Sequence, residues 1–73
     1  MSVFGDRLKQ LRTNKNIMQK DMAKYLEIAT ISYQRYEYGE REPDFNKLVK
    51  IADYFNVSID YLLGRTNKSE VNR

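Results

Sequence analysis

Residues 30–39 read TISYQRYEYG, three tyrosines mixed with a threonine, an isoleucine, a glutamine and an arginine. At helical spacing Tyr33, Tyr36 and Glu37 fall on one side, and Thr30, Ile31, Gln34, Arg35 and Tyr38 fall on the other. The second set carries recognition chemistry: a guanidinium pairs bidentately with guanine, a carboxamide with adenine, and an apolar group contacts the thymine methyl. Catalytic chemistry is poorly supplied. The 73 residues include no cysteine and no histidine, which removes disulfides, thiolate metal sites, the commonest metal ligand and the commonest general base. The carboxylates are isolated and read as a solvated face. The chain is therefore expected not to be an enzyme and to need no cofactor or metal.

Thirteen Lys and Arg against ten Asp and Glu leave a net charge of +3, and the pI of about 9.3 makes nucleic acid a candidate partner. The charge is uneven. Residues 1–26 carry Arg7, Lys9, Arg12, Lys15, Lys20 and Lys24 against Asp6 and Asp21, a net +4. Residues 27–44 carry Arg35 and Arg41 against Glu27, Glu37, Glu40, Glu42 and Asp44, a net −3. The N-terminal MSVFGDRLKQ is charged at positions 6, 7 and 9 and is no signal peptide. No apolar run approaches a membrane span. A cytoplasmic protein without membrane contact is expected.

Short helices must position these groups. Phe4, Leu8 and Leu11 form one helical stripe, with Ser2 as its N-cap, so a first helix is predicted over residues 3–14. Met22, Ala23 and Leu26 mark a second over residues 19–26, too narrow in its apolar face to stand alone. Ile28 then plugs the core from a turn. The third helix spans residues 30–38 and ends at Gly39, which suits a left-handed cap. Asp44 caps a fourth helix with an apolar stripe of Phe45, Leu48, Ile51, Ala52 and Phe55. Ser58 caps a short fifth helix, which Gly64 closes. The pattern is all-α: one domain over residues 1–64 and a polar tail, 65–73, expected to be disordered.

Two short helices joined by a few residues suggest a helix-turn-helix. The stretch QKDMAKYLEIATISYQRYEYGEREPDFNKLVKIADYFNVSIDYLL resembles the lambda-repressor-like, Cro/C1-type (XRE-like) helix-turn-helix family. Shared features are Gln19 opening the second helix, Ala23, Leu26, Glu37-x-Gly39, Pro43 and the ending VSIDYLL. The resemblance runs from Phe4 to Leu63. It implies a five-helix DNA-binding domain and a sequence-specific transcriptional regulator, a repressor in the leading reading. Such a protein acts on a double-stranded operator as a homodimer.

The resemblance makes the third helix the recognition helix. Thr30, Ile31, Gln34 and Arg35 then read base edges; the alternative for Ile31, a scattered surface hydrophobe, is the weaker reading. Tyr33 and Tyr36 stand where the family places aliphatic core residues and are expected to pack. Gln19 matches the family's phosphate-binding glutamine, and Tyr38 sits where the family contacts phosphate. Lys20, Arg41, Asn46 and Lys47 are supporting phosphate candidates, each lysine also readable as a solvated side chain. Arg12 and Glu37 match an internal ion pair of some members; the alternative is a surface Arg12. Three positions depart from the family: Glu27 replaces a turn glycine, Ala29 replaces a capping Ser or Thr, so that Thr30 caps one residue late, and Met18 replaces another cap. Glu40 and Glu42 would repel phosphate if they faced it. Tyr54, Val57, Ile59, Tyr61, Leu62 and Leu63 offer apolar surface for a dimer. With no room for a second domain in 73 residues, regulation is expected from concentration, an antagonist or another partner.

Two alternatives compete with the regulator. The first is an antitoxin or protein-interaction module with secondary DNA binding and a toxin partner. The second is single-strand binding by tyrosine stacking, which requires Tyr33 and Tyr36 to be exposed.

Overall fold

A computed structural model describes residues 2–71. Five helices follow in order: α1 Val3–Asn14, α2 Gln19–Tyr25, α3 Thr30–Tyr38, α4 Phe45–Phe55 and α5 Ile59–Leu62. Among the described residues there is no strand, and the architecture is all-α.

Side chains cap three of the helices. Ser2 Oγ accepts from the Gly5 N–H at 2.9 Å, Asp44 from Lys47 at 2.9 Å and Ser58 from Tyr61 at 3.0 Å. Gly39 ends α3 at φ 76° and Asn56 ends α4 at φ 53°. The α3 N-cap differs from expectation: Ala29 is the cap with no side-chain bond, and Thr30 is already helical. Its hydroxyl therefore lies one residue past the N-cap, the position from which a side chain reaches forward to the free N–H groups of the first turn. At α2 the Asp21 carboxylate accepts from the Met18 N–H at 3.4 Å, a weak substitute for a true cap.

α3 sits at the centre, with α2 and α1 packed against it, and α5 closes against α1 and α4. The core contains Leu8, Met22, Leu26, Tyr33, Tyr36, Ile51, Phe55, Val57 and Leu62, with Ile28 packed at its edge. Gly5 permits the close approach of α1 to the end of α3. A Cβ there would stand 2.9 Å from the Tyr36 carbonyl oxygen and closer still to that of Glu37. The α4 stripe is shorter than its sequence suggests: Phe45 is 85% exposed, so the stripe enters the core only from Leu48 onward.

Residues beyond Gly64, expected to be free, are tied back as far as Ser69. Arg7 Nη1 donates to the Tyr61 and Thr66 carbonyls, Nη2 donates to Asn67 Oδ1 at 2.9 Å, and the guanidinium lies 4.2 Å from the Tyr61 ring centroid. The Ser58 N–H donates to the Ser69 carbonyl at 2.9 Å. Among the described residues no helix is long and apolar enough to cross a membrane.

Candidate nucleic-acid interface

The local sequence of α3 sorts its side chains cleanly. Tyr33, Tyr36 and Glu37 are buried, whereas Thr30, Ile31, Arg35 and Tyr38 are exposed and Gln34 is half-buried. Burial of Tyr33 and Tyr36, at 0% and 4% exposure, removes the stacking platform that single-strand binding needs. The outward face keeps a guanidinium, a carboxamide, a hydroxyl and an aliphatic group on one short rigid helix.

Beneath that face lies a polar network. Arg12 Nε donates to Glu37 Oε2 at 2.5 Å, and Nη2 donates to Oε1 at 3.1 Å. The side chains are 11% and 0% exposed, so this is a buried pair rather than a surface cation with a stray acid. Tyr33 Oη donates to Glu37 Oε2 at 2.6 Å, and Arg12 Nη1 also donates to the Ile17 carbonyl at 2.8 Å. Burial pushes the Glu37 carboxyl upward, but the hydrogen bonds from Arg12, Tyr33 and Gln19 outweigh it and hold the group below its ordinary value. The Glu37 hydrogen bond raises Arg12 against the lowering effect of burial. Burial, and then the bond to Glu37, raise Tyr33, which stays a neutral phenol. Among the described residues no buried side-chain polar atom lacks a partner.

The phosphate candidates are placed unequally. Lys20, Tyr38, Arg41 and Asn46 are exposed, at the N-terminal end of α2, the end of α3, the following loop and the start of α4. Lys47 is held by Asp44, Nζ to Oδ2 at 3.0 Å, so its charge is partly spent within its own helix turn. Gln19 is committed at both ends of its amide: Nε2 donates to Glu37 Oε1 at 3.1 Å, and Oε1 accepts from Gln34 Nε2 at 3.1 Å. Its second amide hydrogen remains for another acceptor.

The dimer candidates separate too. Val57 and Leu62, at 6% and 0% exposure, are core residues and leave the available surface. Tyr54 and Leu63 are exposed, and Ile59 and Tyr61 are half-buried, with Tyr61 under the Arg7 guanidinium. A mainly apolar groove lined by Phe4, Glu42, Pro43, Phe45, Leu48 and Leu63 is the feature that sequence reasoning missed. Periodicity had assigned Phe45 to the core. The Pro43-Asp44 helix start beside it was the available signal that its first-turn side chain lies at an edge. Tyr33's hydroxyl bond to Glu37 was also missed, although its i, i+4 spacing allows it. Among the described residues no group of three or more His, Cys, Asp or Glu could hold a metal.

Comparison with known proteins agrees with this geometry. A helix-turn-helix family model matches residues 8–62. The chain is 43% identical over 65 residues to the SPbeta prophage-derived HTH-type transcriptional regulator YonR of Bacillus subtilis, covering 89% of this chain and 60% of that protein. It superposes on a crystal structure of a transcriptional regulator from Listeria innocua with a TM-score of 0.80 and 31% identity, covering 96% of this chain and 61% of that one. The solution structure of the DNA-binding domain of the P22 c2 repressor gives a TM-score of 0.76 at 26% identity, over 94% of this chain and 90% of that one. The chain spans 54–60% of the length of three curated relatives, all named as HTH-type transcriptional regulators. The match across most of its length, the five helices and the α2–α3 corner together place it: the chain belongs to the helix-turn-helix family, in its Cro/C1-type form.

Proposed function

We propose that this protein is a sequence-specific double-stranded DNA-binding transcriptional regulator, a repressor, that inserts α3 into the major groove as a homodimer in the cytoplasm. The supporting observation is the division of α3, whose tyrosines are spent in the core while Thr30, Ile31, Gln34 and Arg35 form the outward face. Those four residues are the readers. Lys20, Tyr38, Arg41, Asn46 and the remaining hydrogen of Gln19 contact phosphates, with Lys47 weakened by Asp44. Association through what remains exposed of the C-terminal apolar surface, Tyr54, Ile59, Tyr61 and Leu63, extended by the adjoining Phe45 groove, would be an isologous contact that presents two copies of α3 to one DNA site. The second reading is a module that docks an antagonist or toxin protein and binds DNA secondarily.

Selection from random duplex DNA followed by a salt titration tests the proposal. A recovered palindromic site, bound with a steep salt dependence, is the expected result. Recovery of no sequence preference would favour the protein-docking module.

A further inference from the structure

We infer that the buried Glu37 carboxylate fixes the hydrogen-bonding polarity of Gln34 through Gln19, and so makes Gln34 a pre-set reader of adenine rather than an adaptable one. The inference rests on the reading of α3 as the base-contacting helix. It begins from an asymmetry of chemistry. An ionised carboxylate can only accept hydrogen bonds. Glu37 accepts from Arg12, from Tyr33 and from Gln19.

Gln19 can therefore approach Glu37 only with its amide nitrogen. Reversed, its oxygen would face a carboxylate oxygen at the 3.1 Å that now holds a hydrogen bond. With Nε2 committed inward, Gln19 presents Oε1 to its other neighbour. That neighbour is Gln34, whose Nε2 donates to it at 3.1 Å. The relay settles which end of the Gln34 amide is which. Its oxygen and its second N–H remain for a ligand, an acceptor beside a donor.

Adenine shows the complement in the major groove, an N6 donor beside the N7 acceptor, whereas guanine shows two acceptors. A glutamine without such support can turn its amide over and offer its nitrogen to guanine. The half-buried position of Gln34 and the absence of exposure at Glu37 keep the relay from being exchanged freely for water. Gln19 is thus a positioning residue for Gln34 in addition to any contact it makes itself.

The test uses the full chain and the variant Gln19→Met, which keeps the side-chain length and leaves Glu37 its bonds from Arg12 and Tyr33. Binding is measured to duplexes carrying each base at the pair that Gln34→Ala identifies as its own. The wild type is expected to prefer adenine over guanine there by roughly tenfold or more. Gln19→Met is expected to bring that ratio to within about threefold, with the preference at the Arg35 pair unchanged. A second measurement needs no DNA: the Gln34 side-chain amide protons, followed by NMR, should be ordered in the wild type and averaged in Gln19→Met. Equal weakening on all four bases, with the adenine ratio intact, would overturn the inference, as would a Gln34 amide already averaged in the wild type. A wild-type chain with no base preference would instead overturn the DNA reading, while the amide measurement would still decide the relay.

Discussion

Tyr33 and Glu37, one turn apart on α3, are joined inside the core by a hydrogen bond of 2.6 Å from the phenol to Oε2. The ring of Tyr33 is fully buried and fills space, while its hydroxyl helps to neutralise the one buried carboxylate among the described residues. Replacing it with Phe keeps the packing and removes one donor to a charged group. Tyr33→Phe is expected to cost about 1.5–3 kcal/mol in a urea melt. An unchanged midpoint would mean that Arg12 and Gln19 already satisfy Glu37.

The Arg12–Glu37 pair is expected to behave as a unit. Arg12→Ala or Glu37→Ala each strands a buried charge and should cost on the order of 3 kcal/mol, and the double variant should cost less than the sum. Small, additive losses in denaturant melts would show two independent solvated residues.

The same pair and its phenol set the pH limits of stability. Glu37 is held below its ordinary value of 4.5 in the fold, so its contribution is complete above that pH and disappears as pH falls through the folded value. Tyr33 is raised above its ordinary value of 10.0, so its contribution is complete below pH 10.0 and is lost as pH rises beyond it. Melting temperature should decline on both sides, and Tyr33→Phe should flatten the alkaline limb. An alkaline limb unaltered by that substitution would assign it to other groups.

Glu27 sits at φ 58° in the turn between α2 and α3. Glycine carries no Cβ penalty in that region, so Glu27→Gly is expected to raise stability by up to about 1 kcal/mol. Gly5→Ala should do the reverse, because its Cβ would press on the carbonyls of Tyr36 and Glu37. A destabilised Glu27→Gly would show that the turn's side chain matters more than its backbone.

Phe45 contributes little to its own domain, at 85% exposure. If the Phe45–Leu63 groove joins two copies, Phe45→Asp should give a monomer by sedimentation at concentrations where the wild type dimerises, with the melt of the monomer nearly unchanged. A wild type that stays monomeric both free and on DNA would contradict the homodimer.

Much of this molecule was legible as pattern. Periodicity located all five helices, because each has a stripe or a cap at the spacing a helix needs: Ser2, Asp44 and Ser58 at the starts, Gly39 at one end. Resemblance paired Arg12 with Glu37. Pattern failed where three-dimensional closure decides. Val57 and Leu62 look like surplus apolar surface around a short final helix, yet Val57, in the turn before α5, and Leu62, within it, are both buried in the core. Phe45 has the right phase for the core and the wrong height along α4. Arg7 gave no signal in sequence for holding the tail, since its partners, the carbonyls of Tyr61 and Thr66, the Asn67 side chain and the Tyr61 ring, lie far along the chain. The Gln19–Gln34 bond joins α2 to α3 and becomes visible only once Glu37 is seen between them and Arg12.

The most direct test of base reading by α3 is a binding panel of single-base operator variants at two salt concentrations, run on the wild type, Arg35→Ala, Ile31→Ala and Lys20→Ala. Arg35→Ala should release a guanine preference and Ile31→Ala a thymine preference, each at one or two base pairs and at about 1–3 kcal/mol per half-site on the best sequence. Lys20→Ala should weaken every variant alike and lower the salt slope by about 1. If Arg35→Ala and Ile31→Ala instead lower affinity equally on every variant, α3 does not read bases and the major-groove mechanism is wrong.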